Sequence, residues 1–277
     1  MFKFSKINEI FALVLLVTFL TNSARAATFW DDEMEAGNTG YGALVTNPNI
    51  CGNVAGFSYD TVNKVSGAAS LKENFPGLQY TGQCGGYADR SFPATDDLWS
   101  RYYVRLSPGF IVSPTAYTKV MRNDTGTQLA HWWAMGPGLN QLLVALQNYP
   151  TTGETRNFRP NEGDGSLTRG QWVCIETRIK HNTVGKSDGL VEAYKNGVRF
   201  MHWPGLEIRK VSQGTQNAHF VSNRMYRQEG EGSINYDRVA FGNTRIGCIG
   251  SVVPEPIPLP PLPPAKPLAP TSLQVKQ

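Results

Sequence analysis

The sequence predicts an all-β fold on three observations. Residues 171–180 alternate strictly between two faces, and one of these faces is apolar or β-branched, which is the period-two pattern of a strand with one buried side. The pair Asn196-Gly197 separates two further alternating runs, 190–195 and 198–203, and both central positions of a tight hairpin turn need positive φ. The chain is also rich in glycine, aromatic and turn-forming residues, which suits an all-β protein.

The first 26 residues predict a secretory signal peptide. Lys3 and Lys6 precede an apolar run at 10–20, and Ala24-Arg25-Ala26 forms a small-x-small cleavage site. The apolar run is shorter than the roughly 20 residues that a membrane-spanning helix needs. We therefore expect cleavage after residue 26, no membrane span in the mature protein, and secretion into an extracellular or periplasmic space.

The last residues predict a tail. Residues 251–277 are dense in proline, which favours extended polyproline II and prevents a ladder or a core. We expect this segment to be a disordered, proline-rich spacer, and a ligand for a proline-binding groove is the alternative. The folded domain is then 27–250, a length that suits one large β domain expected to be monomeric.

Composition excludes one class of partner. The formal net charge is +4 at pH 7, the predicted signal peptide carries more basic than acidic residues, and no basic run appears. Nucleic acid is therefore not expected as a partner. A weakly basic chain is compatible with an anionic polysaccharide.

Alternation and turn residues place the remaining strands in order. Segment 28–35 opens the domain with an acidic-aromatic stretch, residues 36–90 read as loop-rich, and 150–170 reads as a long polar loop. The further predicted strands are 98–106, 117–122, 128–135, 142–147, 219–226 and 234–247.

Several motifs carry a family resemblance. They are Trp172-x-Cys174-x-Glu176, Asn182-x-x-Gly185, Asp188-Gly189 and Asn196-Gly197, together with the opening at 28–35, the RYYVRLSPGF run at 101–110 and the closing INYDRVAFGNTRIG at 234–247. This pattern resembles the concanavalin A-like lectin/glucanase superfamily, and most closely its secreted polysaccharide-lyase and laminin-G-like branch. The resemblance implies a two-sheet antiparallel jelly-roll β-sandwich with a sugar-facing concave sheet. It does not choose between an enzyme and a binding module.

The four cysteines fit an oxidising compartment, and no C-x-x-C pair suggests zinc. Three pairings are possible. The proposed strand layout favours Cys51–Cys84, which would pin an early loop, and Cys174–Cys248, which would tie the last strand to the central one.

The catalytic motifs of two enzyme classes are absent. The Glu-x-Asp-x-x-Glu strand of retaining glucanases and the G-x-S-x-G nucleophile motif do not occur in the sequence. Elimination from a uronate polymer instead needs a group that neutralises the sugar carboxylate, a base and an acid, and requires no metal. Our candidates are Arg101 and Gln147 for the carboxylate, Lys119 or His131 as base, and Tyr103 or Tyr226 as acid.

Further residues are candidates for binding sugar or metal. We expect substrate contacts from Trp133, Trp172, Arg105, Arg224 and Tyr226, because aromatic faces beside titratable groups build sugar sites. The acidic opening stretch predicts a structural calcium site at Asp31, Glu33 and Asp237. The alternative is a charged edge strand that discourages aggregation.

The sequence thus predicts a secreted, polysaccharide-active protein, and favours a β-eliminative lyase acting on an anionic uronate polymer. A non-catalytic carbohydrate-binding domain and an adhesion module are the alternatives. No cofactor is required beyond the possible calcium.

Overall fold

The fold is taken from a computed structural model of the chain. It describes residues 28–35, 45–46, 56–78, 83–126, 130–147, 149 and 155–249. At 45–46, 76, 83–89, 213 and 226–228 only the backbone is described. The predicted signal peptide and the predicted proline-rich tail lie outside the described residues.

The regular secondary structure of the described chain is almost entirely β-strand, as the sequence predicts. They are β1 (Thr28–Asp32), β2 (Val45–Thr46), β3 (Phe57–Asp60), β4 (Ser70–Pro76), β5 (Gln83–Thr95), β6 (Asp97–Leu106), β7 (Ile111–Val112), β8 (Thr118–Asp124), β9 (Ala130–Met135), β10 (Leu142–Gln147), β11 (Arg156–Phe158), β12 (Val173–Lys180), β13 (Gly189–Lys195), β14 (Val198–Leu206), β15 (Phe220–Gln228) and β16 (Gly230–Gly242). One 3₁₀ turn spans Val211–Gln213.

Two antiparallel sheets form the predicted sandwich. Sheet A has the order β14-β13-β12-β6-β16-β4-β3, with β1 and β7 also paired to β16. Sheet B has the order β11-β10-β9-β8-β15-β5-β2. Because β5 leads to β6 and β15 leads to β16, the chain repeatedly changes sheet, so the strands of each sheet come from distant parts of the sequence.

The central predicted segment folds as the sequence indicates. Strands β12, β13 and β14 follow one another as antiparallel neighbours. Asn196 and Gly197 have φ values of 49° and 84°, so both turn positions have the positive φ that the hairpin requires. Within β12 the apolar face lies inside the core and the polar face lies outside.

The core lies between the two sheets. Sheet A contributes Tyr102 and Tyr236 and sheet B contributes Trp133 and Phe220, all with little or no exposed surface. The Tyr102 and Trp133 rings meet edge to face with centroids 5.0 Å apart. This contact joins the two layers at their centre.

Three predicted boundaries are corrected. The segment predicted as loop-rich, 36–90, contains β4 and most of the 13-residue β5. The segment predicted as a long loop contains β11, which pairs with β10. The last strand ends at Gly242 rather than at Gly247. Each missed strand lacks the long apolar alternation from which the others were recognised.

The segment after the last strand returns across the outer face of sheet A. Cys248 forms the predicted disulfide with Cys174 of β12, with Cα atoms 6.0 Å apart. Gly247 donates its backbone N–H to Glu176, and Arg245 pairs with the same carboxylate. The other predicted pair involves residues 51 and 84, whose side chains lie outside the described part. No helix among the described residues has the length and apolar character needed to cross a membrane.

Candidate functional site on sheet B

The outer face of sheet B carries a small cluster separate from the main core. Trp132, Ala134, Leu143 and Ala145 pack together there, with Tyr117 against them. Their neighbours on β9 and β10 point between the sheets, because strand side chains alternate. We call this outer surface, with the polar residues described next, the sheet B face.

Trp132 is covered by two cations. Lys119 Nζ lies 4.2 Å from the centroid of its ring and the Arg122 guanidinium carbon lies 4.9 Å from it. Register places Arg122 directly opposite Trp132 on the neighbouring strand. The indole is only 4% exposed although it points away from the core. Cations above an aromatic ring are attracted by its quadrupole.

The indole N–H of Trp132 forms a hydrogen bond with a side-chain amide. Its indole Nε1–H donates a hydrogen bond of 3.0 Å to Oε1 of Gln147. Gln147 lies at the end of β10 on the outer side, because Leu142, Val144 and Leu146 point into the core. Lys119 and Gln147 are thus brought to one surface through Trp132.

A tyrosine completes the face. Tyr117 precedes β8 by one residue, and its hydroxyl accepts a hydrogen bond of 2.8 Å from Asn157 Nδ2 on β11. Strands β8 and β11 are separated by β9 and β10, and neighbouring strands lie about 4.8 Å apart. The phenol therefore lies across the small residues of the face, and its own O–H remains available as a donor.

The charges of the face are mostly positive. Arg122 and Arg224 lie directly opposite one another on β8 and β15, an arrangement that destabilises a sheet when uncompensated. Asp124 forms an ion pair with Arg122 and lies 3.9 Å from Arg224. One carboxylate thus serves two guanidinium groups, and Lys119 adds a third cation.

Burial lowers the pKa of Lys119 below its usual value, and the nearby Arg122 charge lowers it further, whereas Glu229 opposes the shift. Glu229 is held close by the β15–β16 turn, where it has a φ of 53°. Among the described residues, Lys119 Nζ has no hydrogen-bond or ion-pair partner. A lysine of lowered pKa at a cationic surface is suited to take up a proton.

Three of the predicted catalytic residues lie elsewhere. His131 points into the core, where it is fully buried and packs on His181 and Phe220. Arg101 lies on the outer side of sheet A and donates to Asp31 and to the Arg238 carbonyl. His131 faces the core from β9, and Arg101 lies on the outer face of the other sheet. Neither residue is on the sheet B face with Lys119.

The predicted acid Tyr103 is also on sheet A. Its hydroxyl accepts the Ile249 backbone N–H at 2.5 Å, and the ring packs against the Cys174–Cys248 disulfide. Tyr226 belongs to β15, but its side chain is not among those described. Tyr117, which the sequence reading passed over, is a tyrosine that does lie on the sheet B face.

The predicted substrate-binding residues divide in the same way. Trp133 is a core residue with 3% exposure. Trp172 packs near the disulfide, and Arg105 donates to the Gly170 carbonyl, both on the sheet A side. Arg224 lies on the sheet B face. Because side chains alternate along β9, Trp133 points into the core and its neighbour Trp132 lies on the outer side of sheet B.

The carboxylates of the predicted calcium site are engaged by protein groups. Asp31 pairs with Arg101, and Glu33 pairs with Arg238. Asp237 accepts the backbone N–H groups of residues 65, 66 and 238. No group of three or more His, Cys, Asp or Glu side chains in the described ranges is placed to hold a metal ion. This arrangement does not fit an oxygen cage, and calcium stays an untested prediction.

Comparison with known proteins gives structural matches alone. No protein-family model matches the chain, and no curated protein sequence matches it. The endo-β-1,4-glucuronan lyase of the fungus Trichoderma reesei matches with a TM-score of 0.58 at 15% identity, over 79% of this chain and 96% of that one.

Two further solved structures match at similar levels. The cellulose-induced protein Cip1 has a TM-score of 0.55 at 16% identity, over 79% of this chain and 99% of its own. The PL-14 alginate lyase of Aplysia kurodai has a TM-score of 0.53 at 11% identity, over 78% and 99%. At these identities the likeness establishes the fold. The chain therefore has the two-sheet antiparallel jelly roll that the sequence predicted.

Proposed function

We propose that this protein is an exported, polysaccharide-active jelly roll that cleaves an anionic uronate polymer by β-elimination on the sheet B face. The observation that carries the proposal is Lys119. It has a lowered pKa, lies against Trp132 without a hydrogen-bond or ion-pair partner among the described residues, and shares its surface with an arginine, an amide and a tyrosine.

The residues of the face match the parts that elimination needs. The Arg122 guanidinium and the Gln147 amide would neutralise the sugar carboxylate, so that the neighbouring C–H becomes acidic. Neutral Lys119 would take that proton, a C=C bond would form, and the C–O bond to the next sugar would break. Tyr117 would give its proton to the leaving oxygen, since its O–H is not committed to Asn157.

The covered tryptophan favours this reading over a lectin. Stacking of a sugar ring needs an exposed aromatic face, but Lys119 and Arg122 cover Trp132. A surface that presents cations above its aromatic ring is suited to carboxylates instead. The matched structures that are named as lyases of glucuronan and alginate agree with an acidic polymer.

Export is part of the proposal. The Cys174–Cys248 disulfide is typical of an oxidising compartment, and the predicted signal peptide points the same way. We propose an extracellular or periplasmic location.

The test is ultraviolet absorbance of unsaturated uronate products over polyglucuronate, alginate and a neutral glucan. The wild-type protein should release product from at least one uronate polymer and none from the glucan. Lys119→Ala should abolish release. Lys195→Ala is the matched control, because Lys195 is a partly buried lysine on sheet A that pairs with Asp164 at 2.8 Å. Tight binding of a uronate polymer without product would replace the lyase proposal by the carbohydrate-binding alternative.

A further inference from the structure

Trp132 makes two kinds of contact at once. Its ring face carries Lys119 and Arg122, and its indole N–H is bonded to Gln147. Ala134, Leu143 and Ala145 belong to the same outer cluster, and Tyr117 packs against it. A tryptophan needed only to fill this space would not require a polar edge directed at an amide.

The hydrogen bond decides which end of the Gln147 amide faces outward. An indole N–H can only donate, so its partner at 3.0 Å has to be the amide oxygen and not the amide nitrogen. The two N–H groups of Gln147 are then turned away from Trp132. An amide without this bond could turn over and present its oxygen, which repels a carboxylate.

We propose that Trp132 is the positioning residue that makes the sheet B face selective for a carboxylate. Its indole N–H keeps the donor end of Gln147 outward, and its ring keeps Lys119 and Arg122 over the same patch. The amide donors of Gln147 and the two cations then face a bound acidic sugar together. The inference rests on the proposed function, because it names the residue that sets the substrate class of that same site.

The test is a double-mutant cycle on polymer binding and turnover. Trp132→Phe keeps an aromatic ring but removes the N–H, and Gln147→Ala removes the amide. Each should raise KM for the uronate polymer about 3- to 10-fold, the range of one neutral hydrogen bond, with a smaller effect on kcat. The double variant should be no worse than Gln147→Ala alone, because Trp132 acts through Gln147.

Two further variants guard against a packing effect. Gln147→Glu keeps an acceptor for the indole but removes the donors, so it should raise KM more than Gln147→Ala does. Trp99→Phe is the matched control. Trp99 is 7% exposed and also lies under an arginine, Arg178 at 5.4 Å, but it is on sheet A. It should leave KM unchanged. A wild-type KM for Trp132→Phe, or effects that multiply in the double variant, would overturn the inference.

A measurement without substrate separates this inference from the proposed function. The indole N–H resonance of Trp132 should move upfield in Gln147→Ala and stay in place in Lys195→Ala. If the wild-type protein binds no uronate polymer, the proposed function fails. An unmoved indole resonance in Gln147→Ala would overturn the positioning role whatever the polymer results show.

Discussion

Lys119 Nζ lies 4.2 Å from the centre of the Trp132 ring, with no hydrogen-bond or ion-pair partner among the residues that the structure describes. The ring supplies a weak attraction for the charged form, whereas burial and Arg122 favour the neutral form. The balance leaves a lysine whose proton is released more readily than that of a surface lysine.

Replacement of this lysine should separate catalysis from stability. Lys119→Ala should lower turnover of the uronate polymer by about 10²- to 10⁴-fold, the usual contribution of a general base. The melting temperature should change little, because the side chain has no polar partner to lose. Lys119→Arg should be equally inactive, since a guanidinium does not release its proton at accessible pH. Retained turnover in Lys119→Arg would show that the residue provides charge and not a base.

The pH dependence of activity should change when the charged neighbours of Lys119 are replaced. Activity should rise with pH as the lysine loses its proton, and the midpoint should lie below the usual lysine value because the pKa is lowered. Glu229 raises this pKa and Arg122 lowers it. Glu229→Gln should therefore move the limb to lower pH, and Arg122→Gln should move it to higher pH. The measurement is kcat against pH for the three proteins. Shifts of the same sign in both variants would contradict the assignment.

Replacing Arg101 should lower stability without affecting turnover, whereas replacing Arg122 should weaken substrate binding without affecting stability. Arg101 is buried and donates to Asp31 and to the Arg238 carbonyl, so Arg101→Ala should lower the free energy of unfolding by about 2 kcal/mol. Its turnover per folded molecule should match the wild type. Arg122→Ala should unfold normally in urea and raise KM for the uronate polymer at least about tenfold, because a charged hydrogen bond is lost. A raised KM in Arg101→Ala would contradict this prediction and show that Arg101 contributes to substrate binding.

The alternation that predicts the fold also explains part of where the structure places the candidate residues. Gln147 ends a strand whose apolar partners were recognised, so its outward orientation follows from the period of two. Lys119 and Arg122 share the outer face only because the register of β8 shifts between residues 119 and 121, and alternation does not predict that shift. His131 and Trp133 are two residues apart on β9 and therefore share one face, which is the inner one. Which face is inner depends on the second sheet, and no single strand reveals that.

The residues missed by the sequence reading depend on pairing between distant strands. Trp132 meets Gln147 and Arg122 only because β9 lies between β8 and β10. Tyr117 reaches Asn157 across two strands. Arg101 and Tyr103 alternate correctly within β6, but β6 belongs to the other sheet, where the segment ending at Cys248 covers it. Sheet membership is a property of topology, which local pattern does not encode.

Removal of the Cys174–Cys248 disulfide should lower the stability of the fold without affecting the site. Cys174 and Cys248 are 74 residues apart, and a loop of that length predicts a loss of about 4 kcal/mol in unfolding free energy from chain entropy. The double variant Cys174→Ser/Cys248→Ser should melt at lower temperature. Its KM and kcat below the melting range should be unchanged, because the disulfide lies on sheet A. Loss of turnover in the folded variant would contradict this prediction, because it would show that the disulfide on sheet A affects the site on sheet B.

The buried histidine pair should make the fold sensitive to acid. His131 and His181 are 0% and 2% exposed, their rings lie 5.2 Å apart, and both contact Phe220. His181 Nδ1 lies 3.0 Å from the Ala218 carbonyl, so it donates there. Within the described chain, His181 Nε2 and both ring nitrogens of His131 lack hydrogen-bond partners.

Burial accounts for the pKa values of both rings. It lowers the pKa of His131 well below its usual value, and His181 lowers it further. Burial, followed by the Arg209 charge, lowers the pKa of His181 to about 4. An imidazole in the unfolded chain takes up its proton near pH 6.5, so between about pH 6.5 and 4 the unfolded state binds more protons than the folded one.

Stability should therefore be complete above pH 6.5 and fall as the pH drops, by about 1.4 kcal/mol per pH unit for each histidine. His131→Leu removes one of the two groups, along with its unpaired nitrogens. Urea unfolding from pH 8 to 4.5 should show a shallower decline in the variant, with about 2 kcal/mol less loss between pH 6.5 and 5. Carboxylates titrate in both proteins, so their contribution cancels when the unfolding free energies of the wild type and His131→Leu are subtracted at each pH. Parallel curves for the wild type and His131→Leu would mean that His131 is protonated as easily when folded as when unfolded.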